Sequence, residues 1–409
     1  MKKSAIFYIL SLLMVTLMLP SCSDNDSTTS SEIPNEIAEK TVFVYMPWTG
    51  NLSSFLQQNI TDMKAGIIKN GGLGNKQLII YFATSATHGS LFRVKYENGK
   101  CIDDTIRSYE NTEARGLAMN SATWIKYIAN QVQSYAPANI YSMIIGGHGY
   151  GWITGADYDS ITSTNKAKGD VFFNDSEVPI TRTSSRWFGG LAIKTDVATL
   201  AKGLSDAGIK MQYILFDNCY MSNMETVYDL RNNADHIIAC PTEIMAYGMP
   251  YESMWAQLSA TAPDYNAICN EFYDFYNSYN RPYGTIAVTD CSEIDNMAKI
   301  MKDVYAKKTI SECNTDSIQN LDGFNPPIFF DFGDYVNYIC KDSAALLNKF
   351  NEEISRLVPY KAHTESYFTE LSRYGTHEIK KYSGLTISDP STNVLTSKKN
   401  ATAFYKATH

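Results

Sequence analysis

Six apolar runs of strand length alternate with amphipathic stretches of helical period, and this alternation leaves the chain few folds to choose from. The runs are Val42–Met46, Leu78–Phe82, Tyr141–Ile145, Tyr213–Phe216, Ile237–Ala239 and Thr285–Val288. Between them lie Phe55–Ile68, Thr123–Tyr135, Val197–Ala207 and Met224–Arg231, whose apolar residues recur with helical spacing. The runs show little apolar–polar alternation, as expected of strands covered on both faces. Strands that alternate with helices imply a mostly parallel sheet with helices on both sides. The expectation is therefore an α/β fold: a three-layer α/β/α sandwich around a mostly parallel central sheet. One local exception is Leu91–Tyr96 followed by Glu97-Asn98-Gly99-Lys100, where Asn-Gly predicts the tight turn of an antiparallel flap.

The main domain is expected over residues 41–290. From Ser292 the pattern is mostly helical, which predicts a mainly helical C-terminal extension over 291–409 with a short apolar run at Leu385–Ile387. The segment 151–190 has no helical period and is rich in Asp, Ser, Thr, Asn and Gly. A loop of that length inside a compact domain is usually functional or mobile.

The N-terminus reads as a targeting segment. Lys2 and Lys3 precede a nearly continuous apolar stretch, Ala5–Leu19. It fits a signal-peptide core and is short for a membrane span, which needs about 20 residues. Leu19-Pro20-Ser21-Cys22 resembles a bacterial lipobox, in which the cysteine becomes the lipidated N-terminus. Residues 1–21 are thus expected to be a lipoprotein signal peptide. Residues 22–40, rich in Ser, Thr, Asp and Glu, are expected to be a flexible tether. On this reading the protein is exported and held at a bacterial outer membrane or cell surface, touching the membrane only through its lipid.

Composition removes other partners. The net charge is −8 with 19% charged residues and no basic block. Nucleic-acid binding needs clustered Lys and Arg, so it is not expected. Seven cysteines follow Cys22, with no Cys-x-x-Cys pair and no zinc spacing. An odd number in an exported chain leaves at least one free thiol or an intermolecular bridge.

Two segments carry chemistry. Tyr141–Ile145 runs into Gly146-Gly147-His148-Gly149, and Tyr213–Phe216 runs into Asp217-Asn218-Cys219. In an open parallel sheet, sites form in the crevice beyond the carboxyl ends of the strands. Adjacent strands would bring His148 and Cys219 to one rim although they are distant in sequence. A thiol with an ordinary pKa of about 8.5 is mostly protonated at neutral pH. A neighbouring imidazole and the N-terminus of a following helix would favour the thiolate. Cys219 would then attack a carbonyl, and His148 would move the protons. The N–H groups of Gly149 and Cys219 are the natural donors to the developing oxyanion. The remaining histidines, His88, His236, His363, His377 and His409, have no such neighbour, and Glu225 stands where a cysteine phosphatase needs Arg.

These segments resemble the clostripain family of cysteine peptidases, of the clan that includes caspases and legumains. The resemblance rests on His148-Gly149 and Asp217-Asn218-Cys219 at the ends of apolar strands. It extends to Val42–Met46, to Cys240-Pro241-Thr242-Glu243 with Tyr247-Gly248-Met249-Pro250-Tyr251, and to Gly384-Leu385-Thr386-Ile387-Ser388. It implies a caspase-like fold, a Cys–His dyad and cleavage of protein or peptide substrates after Arg, and sometimes Lys. It also implies that Asp217 lies in the S1 pocket and pairs with the substrate cation, a partner that a guanidinium fork suits well. Some members are activated by cleavage between the two motifs; Lys166, Lys168, Arg182 and Arg186 are candidate self-cleavage sites here. Some depend on Ca²⁺. Asp157, Asp159, Asp170 and Asp175 could offer oxygen ligands, but their spacing is not that of an EF-hand, and no metal site is expected. The competing reading is a non-catalytic surface lipoprotein that binds peptide or glycan.

Overall fold

The computed structural model describes residues 36–110, 117–157, 188–190, 193–279, 282–308 and 313–409. The chain opens with β1 (Ala38–Met46), α1 (Ser53–Lys69), β2 (Lys76–Ala83), β3 (His88–Glu97) and β4 (Lys100–Glu110). Next come α2 (Ala122–Tyr135), β5 (Ala138–Gly146), β6 (Phe188–Gly190), β7 (Ile193–Thr195) and α3 (Val197–Asp206). Then follow β8 (Met211–Asp217), α4 (Met224–Leu230), β9 (Ala234–Ala239), α5 (Tyr251–Leu258), α6 (Tyr265–Ser278) and β10 (Thr285–Asp290). The C-terminal part adds α7 (Ile294–Tyr305), β11 (Phe330–Asp331), α8 (Phe332–Ile339) and α9 (Ala344–Leu357). It ends with β12 (Tyr360–His363), β13 (Ser366–Thr369), β14 (Gly375–Glu378), β15 (Thr386–Ile387) and α10 (Ala403–Thr408).

All six expected apolar runs are strands of one nine-stranded sheet, ordered β12-β10-β9-β8-β5-β1-β2-β3-β4. The central five, β9-β8-β5-β1-β2, are parallel. Both margins turn antiparallel, through β10 and β12 on one side and β3 and β4 on the other. The Asn98-Gly99 turn forms as the sequence predicts, with φ of 49° and 77°. The left-handed geometry of both residues is what a two-residue hairpin turn demands. The hairpin is not a separate flap, however. β3 pairs along the length of β2 and so covers an edge that would otherwise be open.

Why the strands lack alternation is visible in the packing. Phe43, Tyr45, Met143, Ile145, Ile214 and Phe216 face one core layer, under α2, α3, α4 and α7–α10. Val42, Val44, Met46, Ile144, Tyr213 and Leu215 face the other, under α1, α5 and α6. Each fully buried aliphatic or aromatic side chain contributes about 1.5–3 kcal/mol, so the two layers strongly fix which strand faces which helix. The segment after residue 291 is helical in α7–α10 but is interleaved with the rest: β12 is an edge strand of the main sheet, and β15 docks behind the β8–α4 turn. No helix among the described residues is long and apolar enough to cross a membrane.

Candidate active site

Strands β5 and β8 are neighbours, and their register pairs Gly146 with Asp217. The two chemistry-bearing segments therefore leave the sheet side by side at its carboxyl-end rim. Gly149 sits directly on the Cys219 main chain: a Cβ there would lie 2.6 Å from the Cys219 carbonyl oxygen and 3.2 Å from its nitrogen. Only a residue without a side chain permits that approach. His148 and Cys219 are both buried.

The His148 main chain is held from two directions. Its N–H donates to the Gly189 carbonyl at 3.0 Å, and its own carbonyl accepts from the Gly189 N–H at 3.2 Å. The same carbonyl accepts from Asn218 Nδ2 at 2.8 Å. Strand β6, at the end of the long 151–190 segment, is thus bonded to the histidine. On the side chain, His148 Nε2 lies 2.9 Å from Asn51 Oδ1.

Cys219 Sγ faces the turn after β9. The Ile244 N–H donates to it at 3.3 Å, and the thiol lies 3.8 Å from the Ile244 carbonyl. That turn is clamped by Glu243. Its carboxylate accepts from the Tyr220 hydroxyl at 2.5 Å, from the Thr369 hydroxyl and from the Glu370 N–H at 3.1 Å. Tyr220 itself has φ of 60°, unusual for a residue with a side chain. Its N–H bonds the Thr242 carbonyl at 3.0 Å and its ring stacks on Phe329, contacts that hold this conformation. The left-handed turn delays the following helix. α4 starts at Met224, capped by Asn223, where the helical stretch Met224–Arg231 is expected from the sequence, so its N-terminus lies beyond the turn rather than at the sulfur. The Ile244 N–H is a main-chain donor bonded to the sulfur.

Asp217 is fully buried and its Oδ2 accepts from the Tyr251 hydroxyl at 2.9 Å. Tyr251 belongs to the Pro-Tyr segment noted in the sequence, where it had no assigned partner. The late Gly-Leu segment also comes to the site. Ser222 Oγ donates to the Gly384 carbonyl at 2.7 Å and the Thr386 N–H donates to the Ser222 carbonyl at 3.0 Å. Asn51, Glu243 and Ile244 were missed as site residues. Asn51 sits in a loop with no pattern, and the Ile244 contribution is main chain, which leaves no mark on residue type.

Cys22 and the candidate self-cleavage residues Lys166, Lys168, Arg182 and Arg186 lie outside the described residues, as do Asp159, Asp170 and Asp175. Asp157 is described; it accepts from the Thr154 hydroxyl at 2.7 Å. Among the described residues, no group of three or more His, Cys, Asp or Glu is placed to hold a metal ion.

The seven described cysteines are all free thiols. Burial pushes Cys269 up to about 12 and raises Cys101, Cys291, Cys313 and Cys340 as well. A thiol held protonated is a poor nucleophile, so these five do not compete for the chemistry.

The model of the clostripain family matches residues 44–379. The chain belongs to the clostripain family. Among solved structures, it is similar to a secreted C11 cysteine protease from Bacteroides thetaiotaomicron, iotapain, at 44% identity over 91% of this chain and 100% of that one, with a TM-score of 0.79. It is similar to an inactive zymogen C11 protease from Parabacteroides distasonis at 27% identity over 92% and 100%, with a TM-score of 0.76. It is also similar to a clostripain from Bacteroides thetaiotaomicron in complex with the peptide inhibitor BTN-VLTK-AOMK. That match has 51% identity over 55% of this chain and 99% of that one, with a TM-score of 0.52. No curated protein matches the chain. The sheet and its two helical layers are those of a caspase-like clostripain-family protease, and the protein is a cysteine-type peptidase, a hydrolase.

Proposed function

We propose that this peptidase is an endopeptidase that cleaves after Arg, and also Lys, with Cys219 as nucleophile and His148 as base and acid. The observation that carries the reading is the seating of Gly149 against the Cys219 main chain, which makes one rim of the two motifs. His148 takes the thiol proton, and the Cys219 thiolate attacks the scissile carbonyl. The oxyanion is met by the N–H groups of Gly149 and Cys219, and donors of this kind contribute a few kcal/mol each. His148 returns the proton to the leaving amine and a thioester remains. Water, deprotonated by His148, then attacks the thioester and releases the acid and the thiol.

Asp217 at the head of this turn would receive the substrate cation, with the Tyr251 hydroxyl steadying its second oxygen. In the related clostripain complex, the inhibitor's peptide ends in Lys next to its AOMK group. Activation by self-cleavage at Lys166, Lys168, Arg182 or Arg186 belongs to the same proposal. It draws support from the relative described as an inactive zymogen. Export is supported by the leader sequence and by the relative described as secreted. Lipidation at Cys22 would then anchor the enzyme to the membrane.

The test is hydrolysis of fluorogenic peptides with Arg, Lys or Asp before the scissile bond, with Cys219→Ala as control and products followed on a gel. Turnover of the Arg and Lys peptides, lost in the variant together with a two-band pattern, is expected. Preference for Asp would sink the S1 assignment.

A further inference from the structure

The proposed dyad leaves one question open, namely what decides which imidazole nitrogen of His148 carries the proton. We infer that Asn51 is a positioning residue that accepts a hydrogen bond from His148 Nε2–H and thereby leaves the Nδ1 lone pair as the base. This inference rests on the Cys219–His148 reading of the site.

The geometry is local and built in. His148 Nε2 and Asn51 Oδ1 are 2.9 Å apart. An amide oxygen can only accept, so a ring nitrogen bonded to it must carry the hydrogen. In a neutral imidazole the other nitrogen is then unprotonated. Asn51 is itself held by its chain neighbours. Gly50 adopts φ of 67°, the Ser53 N–H donates to the Gly50 carbonyl at 3.2 Å, and Leu52 is fully buried beside it. The His148 main chain is fixed by Gly189 and Asn218, so the ring torsions remain, and Asn51 supplies a partner that limits them. During the reaction the proton taken from Cys219 Sγ would sit on Nδ1. The imidazolium so formed keeps its Nε2–H on Asn51 until the Nδ1 proton passes to the leaving amine.

The Asn51 side chain is exposed, whereas its partner is buried. The hydrogen bond is part-buried, but with Asn51 exposed a water can take its place on removal, so a purely structural role predicts only a small change in stability. A positioning role predicts a loss confined to turnover. The experiment uses the purified chain, an Arg-containing fluorogenic peptide, and the variants Asn51→Ala, Asn51→Asp and His148→Ala. In Asn51→Ala, kcat is expected to fall by roughly tenfold or more with KM within about twofold and an unchanged melting temperature. Asn51→Asp keeps the acceptor and is expected to restore most of kcat. In histidine-selective ¹⁵N spectra, the His148 resonances, assigned by their loss in His148→Ala, should report Nε2–H in the wild type and a tautomer mixture in Asn51→Ala. Wild-type kcat in Asn51→Ala overturns the inference, as does Asn51→Asp as slow as Asn51→Ala. Full activity in His148→Ala would instead sink the dyad itself, which keeps the two failures apart.

Discussion

Asn218 donates from Nδ2 to the main-chain carbonyl of His148 at 2.8 Å, so the residue in front of the proposed nucleophile holds the residue that carries the proposed base. The tie spans two strands that are adjacent in the sheet and far apart in sequence. The carbonyl keeps a second donor, the Gly189 N–H, so removing Asn218 does not orphan it. Asn218→Ala is therefore expected to cost about 1–2 kcal/mol, toward the lower range for a buried hydrogen bond. Turnover should suffer more than stability, because the two strand ends lose their direct link. Denaturant unfolding and kcat measured on the same preparation check this.

Gly149 has no room for a side chain. The atoms that a Cβ would meet are the Asn218 Cβ and the Cys219 main chain, none of them a flexible end that can swing away. Gly149→Ala is expected to cost about 1–3 kcal/mol, as overpacking does, and to abolish peptidase activity by shifting Cys219. Retained activity with wild-type stability would show that the two turns tolerate a side chain between them.

Much of this arrangement was legible in the sequence, for a physical reason. Val42–Met46 and Tyr213–Phe216 bury both faces, and a strand covered on both faces reads as an unbroken apolar run. Asn98-Gly99 could be read because few residue pairs accept two positive φ values. β12 left no such trace: Tyr360–His363 is a short edge strand with mostly exposed or half-buried side chains. His148 and Cys219 stood out because reactive residues at apolar strand ends are conspicuous. Asn51 and the Ile244 N–H did not, since one lies in a patternless loop and the other is main chain. Register, which no local pattern encodes, is what joins Asn218 to His148.

Tyr251 steadies Asp217 through a single hydroxyl. Tyr251→Phe keeps the ring and removes only that donor. For peptides with a basic residue before the scissile bond, KM is expected to rise several-fold with a smaller change in kcat, because the contact acts through binding of the cation. Equal effects on a peptide lacking that cation would assign the hydroxyl a general structural role instead.

Glu225 gives the fold a pH dependence of its own. Full burial and the nearby Asp389 carboxylate push its pKa from 4.5 up to about 8. Between these values the folded chain holds a proton that the unfolded chain has released, so this group makes stability fall as pH rises from about 4.5 through 8. Glu225→Gln keeps the acceptor for the Ser388 N–H, which Glu225 Oε1 now takes at 3.0 Å. The variant should match the wild type near pH 4 and become the more stable of the two above pH 8, as read by chemical unfolding at each pH. An unchanged difference across that range would contradict the assignment.

The account turns on one atom, Cys219 Sγ, reacting with a substrate that ends in a basic residue. The direct measurement is labelling by a peptidyl acyloxymethyl ketone ending in Arg, followed by mass spectrometry of the modified peptide. The account predicts one adduct, on Cys219, formed far faster than with the same reagent ending in Asp and absent in His148→Ala. An adduct on another cysteine, or equal rates with Arg and Asp reagents, would contradict it.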